Sequence, residues 1–349
     1  MHTISVVGLG PGHLDEMPLK VYRKIKESNK LYVRTADHPA VGELEAEGIE
    51  IISFDSVYEA LDEQFEDVYT QIVSELGQNV RETDILYGVP GHPMVAEKTV
   101  QLLLESDLKV DIIGGKSFID DLFQAVEADP VEGFQLIDGL DFSIDTLATN
   151  QHLVIMQVFN SLVAGNVKLS LMAIYPDEHQ VALVSAAGSA EEMIEWVPLY
   201  EIDRFEGVNN LLSIYVPPLA DKEDMRTFAK SLEVTDRLFS DENGDIWANT
   251  QTNDSLIPYL EEEAEELKEA VKADDIDEII NELGDILLQI LFHTAIGEKS
   301  GYFTIEDVIE SYNKKMYHRV PHVFSNDSAH SIEEAENNWQ RRKNEEGDL

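Results

Sequence analysis

The composition of the chain is that of a folded and strongly acidic protein. Its 349 residues include 69 Asp and Glu against 25 Lys and Arg, which gives a formal net charge of −44 at pH 7. Because 43% of the residues are hydrophobic, the acid excess belongs to the surface of a globular protein and excludes a disordered chain. This charge repels polyphosphate backbones and anionic lipids, so we expect no binding to nucleic acid or to a membrane.

The absence of cysteine excludes several kinds of site. Without Cys, the chain has no disulfide, thiolate nucleophile, iron–sulfur cluster or Cys-ligated zinc. The first eight residues lack the basic and apolar regions of a signal peptide, and no apolar run approaches about 18 residues. We therefore expect a cytoplasmic protein.

Short β-branched runs alternate with amphipathic helical stretches from Ile4 to about Pro218. This alternation predicts an α/β fold with a largely parallel sheet. The predicted strands are residues 4–7, 31–33, 49–53, 85–87, 110–113, 153–157, 180–185 and 211–216. Pro217 and Pro218 end the last strand, and long, acidic, helically periodic segments follow. We therefore predict an α/β domain over residues 1–218 and an all-α domain over residues 219–349.

Three glycine-rich turns follow predicted strands of the α/β domain. They are Gly8-Leu9-Gly10-Pro11-Gly12, then Gly88-Val89-Pro90-Gly91-His92-Pro93, then Gly114-Gly115-Lys116-Ser117-Phe118. Glycine allows backbone N–H groups to approach a polar ligand at the carboxyl end of a sheet, although a tight strand–helix turn also needs glycine for its geometry. The spacing fits neither a Walker A loop nor a dinucleotide fingerprint.

These turns resemble those of the tetrapyrrole methylases, and the resemblance runs over about residues 3–217. It implies two α/β lobes with S-adenosylmethionine in the cleft between them, and a tetrapyrrole-like methyl acceptor. His92 stands where methylases of this fold often carry an acidic residue, so a retained scaffold or regulatory module is the competing interpretation. The cofactor contacts that the resemblance implies are Gly8, Gly10, Pro11, Gly12, Pro90, Gly91, His92 and Ser117.

Two pairs of carboxylates mark the all-α domain. Glu262 and Glu265 are three residues apart, as are Glu282 and Asp285, so each pair lies on one helix face. A hairpin that turns at residues 273–275 would bring all four carboxylates level. Four facing carboxylates need cations, and hard oxygen ligands select Mg²⁺, Mn²⁺ or Ca²⁺. The competing interpretation is a solvated helix face in a very acidic protein.

The apolar pattern of the second helix favours the metal site. Glu282 and Asp285 border a stripe that continues into residues 287–292, where the helix is apolar nearly all round. Such a helix is buried in a bundle or a dimer core, and carboxylates on its flank need a compensating charge.

This order of motifs resembles the MazG-type nucleoside triphosphate pyrophosphohydrolases over about residues 228–345. The resemblance implies an all-α, usually dimeric enzyme that hydrolyses nucleoside triphosphates to monophosphates and pyrophosphate with Mg²⁺, or Mn²⁺. It makes Glu262, Glu265, Glu282 and Asp285 the metal ligands and catalytic carboxylates. Glu261 matches a further acidic position of the catalytic site. Substrate contacts fall on Lys315 and Arg319 for phosphate, on Trp339 for base stacking and on Trp247 for the nucleotide pocket.

Together the two halves resemble the bifunctional tetrapyrrole methylase/MazG-like proteins of the YabN type. The leading hypothesis is a homodimeric, Mg²⁺-dependent nucleoside triphosphate pyrophosphohydrolase fused to a methylase-like domain, acting in nucleotide-pool housecleaning. One alternative is an S-adenosylmethionine-dependent methyltransferase with a regulatory helical domain. The other is a non-catalytic dimer that senses nucleotides.

Overall fold

The chain folds into two compact units, which we call the N-terminal unit, Met1–Arg226, and the C-terminal unit, Thr227–Leu349. The structure is a computed structural model, and it describes residues 2–60, 65–207, 209, 211–324 and 331–346. The first unit is α/β and the second is helical in its described part, which confirms the predicted fold class.

The first sheet of the N-terminal unit is parallel throughout, with the strand order β3-β2-β4-β1-β5. Helices cover both of its faces, because its central strands are apolar on both sides. The strands are β1 (Ile4–Gly8), β2 (Lys30–Val33), β3 (Glu50–Ser53), β4 (Ile85–Val89) and β5 (Val110–Gly114). The helices are α1 (Leu19–Ser28), α2 (Pro39–Ala46), α3 (Asp55–Ala60), α4 (Phe65–Asn79) and α5 (Lys98–Glu105).

The second sheet of this unit is mixed, with the order β6-β7-β10-β8-β9. Among the described strands, β6 and β7 pair in parallel, whereas the other three pairs are antiparallel. Helix α6 (Phe118–Ala125) packs on one face and α7 (Ser161–Leu171) on the other. The strands are β6 (Phe134–Asp138), β7 (His152–Met156), β8 (Gln180–Ser185), β9 (Met193–Pro198) and β10 (Leu212–Val216).

The prediction of a largely parallel sheet therefore holds for the first sheet and is wrong for the second. The link between β8 and β9 is too short for the helical crossover that a parallel pair requires. Strands β6 and β9 were not predicted. The edge strand β9 is exposed over residues 193–196, so it lacks the buried run that marks a strand in the sequence.

The N-terminal unit extends past the two prolines that end β10. Leu219 is buried, and its N–H donates to Thr149 O at 2.8 Å. Thr149 Oγ1 donates to Asp224 Oδ2 at 2.7 Å, and Arg226 Nη1 donates to Met172 O at 3.0 Å. The contacts therefore divide the chain after Arg226, whereas the sequence placed the boundary after Pro218.

The C-terminal unit is built on a hairpin of two long helices, α9 (Asn253–Ala273) and α10 (Ile276–Lys299). Asp274 adopts the left-handed conformation at the end of α9, with φ at 56°. Asp275 caps α10, because its Oδ1 accepts from Glu278 N at 3.3 Å. The predicted turn is thus confirmed. The other helices are α8 (Phe228–Leu238), α11 (Ile305–Arg319), α12 (Pro321–Phe324) and α13 (Ile332–Glu346).

Helix α10 is long and apolar enough to cross a membrane, with a mean hydropathy of 1.3 over an 18-residue window. Core helices of soluble proteins meet the same criterion. Helix α10 also carries the charged residues Glu282 and Asp285. Its length and hydropathy by themselves therefore do not show whether it lies in a membrane.

Candidate functional site

A half-buried stripe of α9 faces α10 in the C-terminal unit. Leu256 and Ala270 are buried, and Leu260, Glu263 and Leu267 between them are half-buried. These residues are three and four positions apart, which is the spacing of one helix face. Glu263 is thus a carboxylate in the middle of an otherwise apolar face.

Three carboxylates converge where this stripe meets α10. Single oxygen atoms of Glu263, Glu266 and Glu282 all lie within 4.8 Å of one another. Glu282 Oε2 is buried and has no hydrogen-bond partner among the described residues. An orphaned carboxylate oxygen beside two further carboxylates is a donor set that suits a hard divalent cation.

The charges of the cluster act on one another. Burial raises the pKa of Glu263, and the charges of Asp285, Glu266 and Glu282 raise it further. Burial likewise raises the pKa of Glu282, followed by the charges of Glu266 and Asp285. Asp285 therefore lies within electrostatic reach of the cluster. Negative charges in this arrangement are stabilised by a cation.

The cluster differs from the predicted ligand set by one residue on α9. Glu282 belongs to the cluster, but the two residues from α9 are Glu263 and Glu266 rather than Glu262 and Glu265. Glu265 instead accepts from Lys268 Nζ at 2.7 Å, which lowers the pKa of Glu265. One residue along a helix turns a side chain by about 100°, so the neighbouring pair points away from α10.

A signal for the Glu263/Glu266 pair is present in the sequence. Glu262/Glu265 and Glu263/Glu266 have the same spacing, so spacing cannot distinguish them. Only Glu263 continues the apolar stripe of α9. Glu261, predicted as a further acidic contact, is exposed on the helix beside the cluster.

The predicted substrate contacts lie on separate elements of the C-terminal unit. The ring of Trp247 packs edge-on against Tyr259 of α9, with the ring centroids 5.8 Å apart. Lys315 is exposed on α11. At the end of α11, the Arg319 guanidinium lies 5.3 Å from the ring centroid of Trp339, so this tryptophan contacts a cation.

The N-terminal unit contains a cavity of about 870 Å³ at the carboxyl ends of the parallel strands. Residues of the second sheet, such as Val184 and Ser213, line its other side. The predicted cofactor contacts that line it are Gly10, Pro11, Gly12, Pro90, Gly91, His92 and Ser117.

The turns that line this cavity hold one another in place. Gly91 N donates to Gly10 O at 2.8 Å, and His38 Nε2 lies 3.0 Å from the same oxygen. Ser117 Oγ accepts from Ile119 N at 3.2 Å and so caps α6. His92 Nδ1 accepts from Met94 N at 3.1 Å.

Gly8 has a packing role beneath the cavity. The structure does not place it among the lining residues. A Cβ atom on Gly8 would overlap the carbonyl oxygen of Gly91 and lie 2.9 Å from Gly115 Cα. Gly8 therefore allows the turns after β1, β4 and β5 to meet.

Sequence reasoning assigned no role to four further residues of the lining, Arg34, Tyr58, Tyr69 and Glu97. Arg34 belongs to the Arg34-Thr35-Ala36-Asp37-His38-Pro39 segment that follows β2. A charged residue after a parallel strand is a signal of a site, and so is a buried glutamate such as Glu97. Only the fold, however, brings these residues together.

The cluster predicts a difference between two neighbouring glutamates. We expect Glu263→Gln to weaken Mg²⁺ binding at least about tenfold, because it removes a charged ligand, and Glu262→Gln to leave binding near wild type. Calorimetric titration of the full chain with Mg²⁺ measures this difference. Equal weakening by both substitutions, or an effect of Glu262→Gln alone, would contradict the register of the cluster.

Comparison with known proteins places both units in families. The family of "Tetrapyrrole (Corrin/Porphyrin) Methylases" matches residues 3–203, and the "MazG nucleotide pyrophosphohydrolase domain" matches residues 251–324. The uncharacterized protein YabN of Bacillus subtilis (strain 168) is 44% identical over 347 residues, which cover 98% of this chain and 71% of YabN.

Two further similarities each cover one part of the chain. The nucleoside triphosphate pyrophosphohydrolase/pyrophosphatase MazG of Thermotoga maritima is 43% identical over 115 residues, and the match spans 33% of this chain and 45% of that protein. The uroporphyrin-III-C-methyltransferase structure from Thermus thermophilus aligns at 18% identity and a TM-score of 0.49, over 62% of this chain and 95% of that one. The identity to YabN over nearly the whole chain shows that this protein belongs to the YabN family, in which a tetrapyrrole methylase domain precedes a MazG domain.

Proposed function

We propose that the C-terminal unit hydrolyses nucleoside triphosphates to nucleoside monophosphates and pyrophosphate, with Mg²⁺ or Mn²⁺ as cofactor. The observation that carries this proposal is the group of Glu263, Glu266 and Glu282, with oxygen atoms within 4.8 Å of one another. It lies in the region that matches the MazG domain, and the similar Thermotoga maritima protein is named for this activity.

Glu263, Glu266 and Glu282, with Asp285 beside them, are the residues that would hold the cation. A bound Mg²⁺ would neutralise triphosphate charge and acidify water in the site. Hydrolysis adds water across a P–O–P bond, so a base must take up the released proton. Asp285 lies within electrostatic reach of the cluster and is proposed to accept it.

Basic residues of α11 are proposed to bind the phosphates. Lys315 and Arg319 are four residues apart, so they lie on the same face of α11. In a chain of net charge −44, local cations are needed to attract an anionic substrate. Trp247, which packs against Tyr259, is proposed to border the nucleotide pocket.

Incubation of the full chain with each nucleoside triphosphate and Mg²⁺, followed by assay of pyrophosphate, tests the proposal. We expect Glu282→Gln to lower kcat about 100-fold or more, because it removes a cluster carboxylate. Lys315→Ala is expected to raise KM mainly, because a phosphate contact is lost. Glu265→Gln is the matched control, since Glu265 pairs with Lys268 outside the cluster.

Two results would contradict the assignment. Equal pyrophosphate release by wild type and Glu282→Gln would place the activity elsewhere. Tight nucleotide binding without release of pyrophosphate would favour the alternative function, a nucleotide sensor.

A second apolar stripe of α10 supports a homodimer. Ile276, Ile280, Leu283 and Leu287 repeat at spacings of three and four residues, and all four are exposed in the single chain. Leu283, for example, keeps 51% of its surface exposed. A continuous apolar helix face of this kind is covered in most proteins, and we propose that the same helix of a second copy covers it.

We expect the double substitution Leu283→Glu and Leu287→Glu to give a monomer, because two buried charges at the interface would lack partners. Light scattering coupled to size-exclusion chromatography measures the mass in solution. Leu169→Glu, on an exposed position of α7, is the matched control and should leave the dimer intact. A dimer that survives the double substitution would contradict this interface.

The cavity of the N-terminal unit is proposed to bind S-adenosylmethionine. This proposal is supported by the match to the tetrapyrrole methylases and by the glycine turns that line the cavity. The second candidate function is therefore a methyltransferase activity of this unit, with the helical unit in a regulatory role. A tetrapyrrole-like compound is the methyl acceptor that the family suggests.

Calorimetry with S-adenosylmethionine and S-adenosylhomocysteine tests this binding. We expect Gly12→Val to abolish the heat of both, because a branched side chain at this lining position fills space that the cofactor needs. Gly42→Val, on the exposed face of α2, is the control. No heat and no thermal shift with either compound in wild type would refute cofactor binding.

A further inference from the structure

One wall of the N-terminal cavity presents polar side chains. It is formed by Arg34 after β2, Tyr58 of α3, Tyr69 of α4 and Glu97 before α5. These elements follow neighbouring strands, so the sheet brings the four side chains to the same end of the unit.

A buried chain of hydrogen bonds fixes the guanidinium of Arg34. Its Nη1 donates to Glu97 Oε2 at 2.9 Å, and Glu97 is only 3% exposed. Glu97 Oε1 also accepts from Thr99 Oγ1 at 2.6 Å, and Thr99 Oγ1 lies 3.1 Å from the hydroxyl of Tyr87. A guanidinium anchored in this way presents its remaining N–H groups in a preset direction.

The wall has donors without acceptors. Arg34 Nε is buried and has no hydrogen-bond partner among the described residues. Burial raises the pKa of Tyr58 to about 12, so its hydroxyl keeps its proton and can donate. Tyr69 contributes a second phenol to the lining. Arg34 keeps 27% of its side chain exposed, so a ligand oxygen can accept from its accessible N–H groups and from the phenols.

The charge of the cavity limits the kinds of ligand that can place an oxygen atom beside these donors. Arg34 is the one Arg or Lys among the described lining residues, and Glu97 already pairs with it. Asp37, Asp55 and Glu191 add negative charge to the lining. A macrocycle with several carboxylates would meet repulsion on entering, whereas a single oxygen-bearing group would meet the donors.

The size of the cavity leads to the same ligand class. About 870 Å³ lies within the range of pockets that hold one drug-sized ligand, which is roughly 300–1,000 Å³. A small molecule with a single oxygen-bearing group would occupy only part of this volume.

We propose that Arg34, Tyr58 and Tyr69 form a second ligand subsite in the N-terminal cavity. Its ligand is a small molecule with one carbonyl or carboxylate oxygen, in place of the tetrapyrrole-like acceptor that the family suggests, and a polycarboxylate macrocycle does not bind there. This subsite depends on neither the proposed hydrolase activity nor the proposed cofactor binding, because its donors and its cavity belong to the chain itself.

Ligand-observed NMR on the full chain tests the proposal, with benzoate and benzamide as single-oxygen-group probes and uroporphyrin III as the polycarboxylate. We expect saturation transfer to both small probes and none to uroporphyrin III. Tyr58→Phe and Tyr69→Phe should each weaken probe binding several-fold, and Arg34→Lys at least about tenfold, because it removes the planar guanidinium and its N–H donors. The lysine keeps a positive charge beside Glu97, so this variant is expected to fold.

Tyr22→Phe is the matched control, because the Tyr22 hydroxyl bonds Glu47 on the surface outside the cavity. Circular dichroism verifies that each variant is folded. Binding of uroporphyrin III that Arg34→Lys weakens would overturn the ligand class. Probe binding that all three cavity variants leave unchanged, or no binding of either probe to wild type, would overturn the subsite.

Repeating the titrations with S-adenosylhomocysteine separates the two proposals for this cavity. If the probes bind, and S-adenosylhomocysteine neither binds nor changes their binding, the subsite is supported and only the cofactor proposal is contradicted. If S-adenosylhomocysteine binds and neither probe binds, the cofactor proposal is supported and the subsite is contradicted.

Discussion

Repulsion between carboxylates on a half-buried helix face is the constraint on which the C-terminal unit depends. Glu263 occupies a position of the α9 stripe that packing would otherwise give to an apolar residue, and it faces Glu282 across the hairpin. The left-handed Asp274 and the cap from Asp275 set the register that brings them together. Such an arrangement costs stability in the absence of a cation, and a divalent cation reverses the sign of the interaction.

The same hairpin relates the proposed hydrolase site to the proposed dimer. Helix α10 directs Glu282 toward α9. Its exposed apolar stripe, which includes Leu283 and Leu287, therefore points away from α9. The net charge of −44 then has two consequences. Under the proposed function, a few acids would recruit a cation for a metal-bound triphosphate, while the net charge of the whole chain would repel extended polyanions.

The N-terminal unit divides its cavity between two kinds of wall. Backbone groups of glycine turns line one part, and these turns meet only because Gly8 has no side chain. The other part presents charged and phenolic side chains, with Arg34 held by the buried Glu97. Backbone recognition suits a ligand of fixed shape, whereas the side-chain wall selects by chemical group. The acidity of the lining therefore affects the ligand proposed for the side-chain wall more than the proposed cofactor.

The sequence alone determined the two-part organisation, the strands of the first sheet, the α9–α10 turn and the presence of a carboxylate hairpin, because hydrophobic period and turn residues are local signals. It could not determine that the second sheet is mixed, since pairing partners are distant in the chain. Nor could it choose Glu263 over Glu262 by spacing, because both have a partner three residues on. The packing of α9 on α10 places Glu263 in the cluster, and only the sheet brought Arg34, Tyr58 and Glu97 to one cavity.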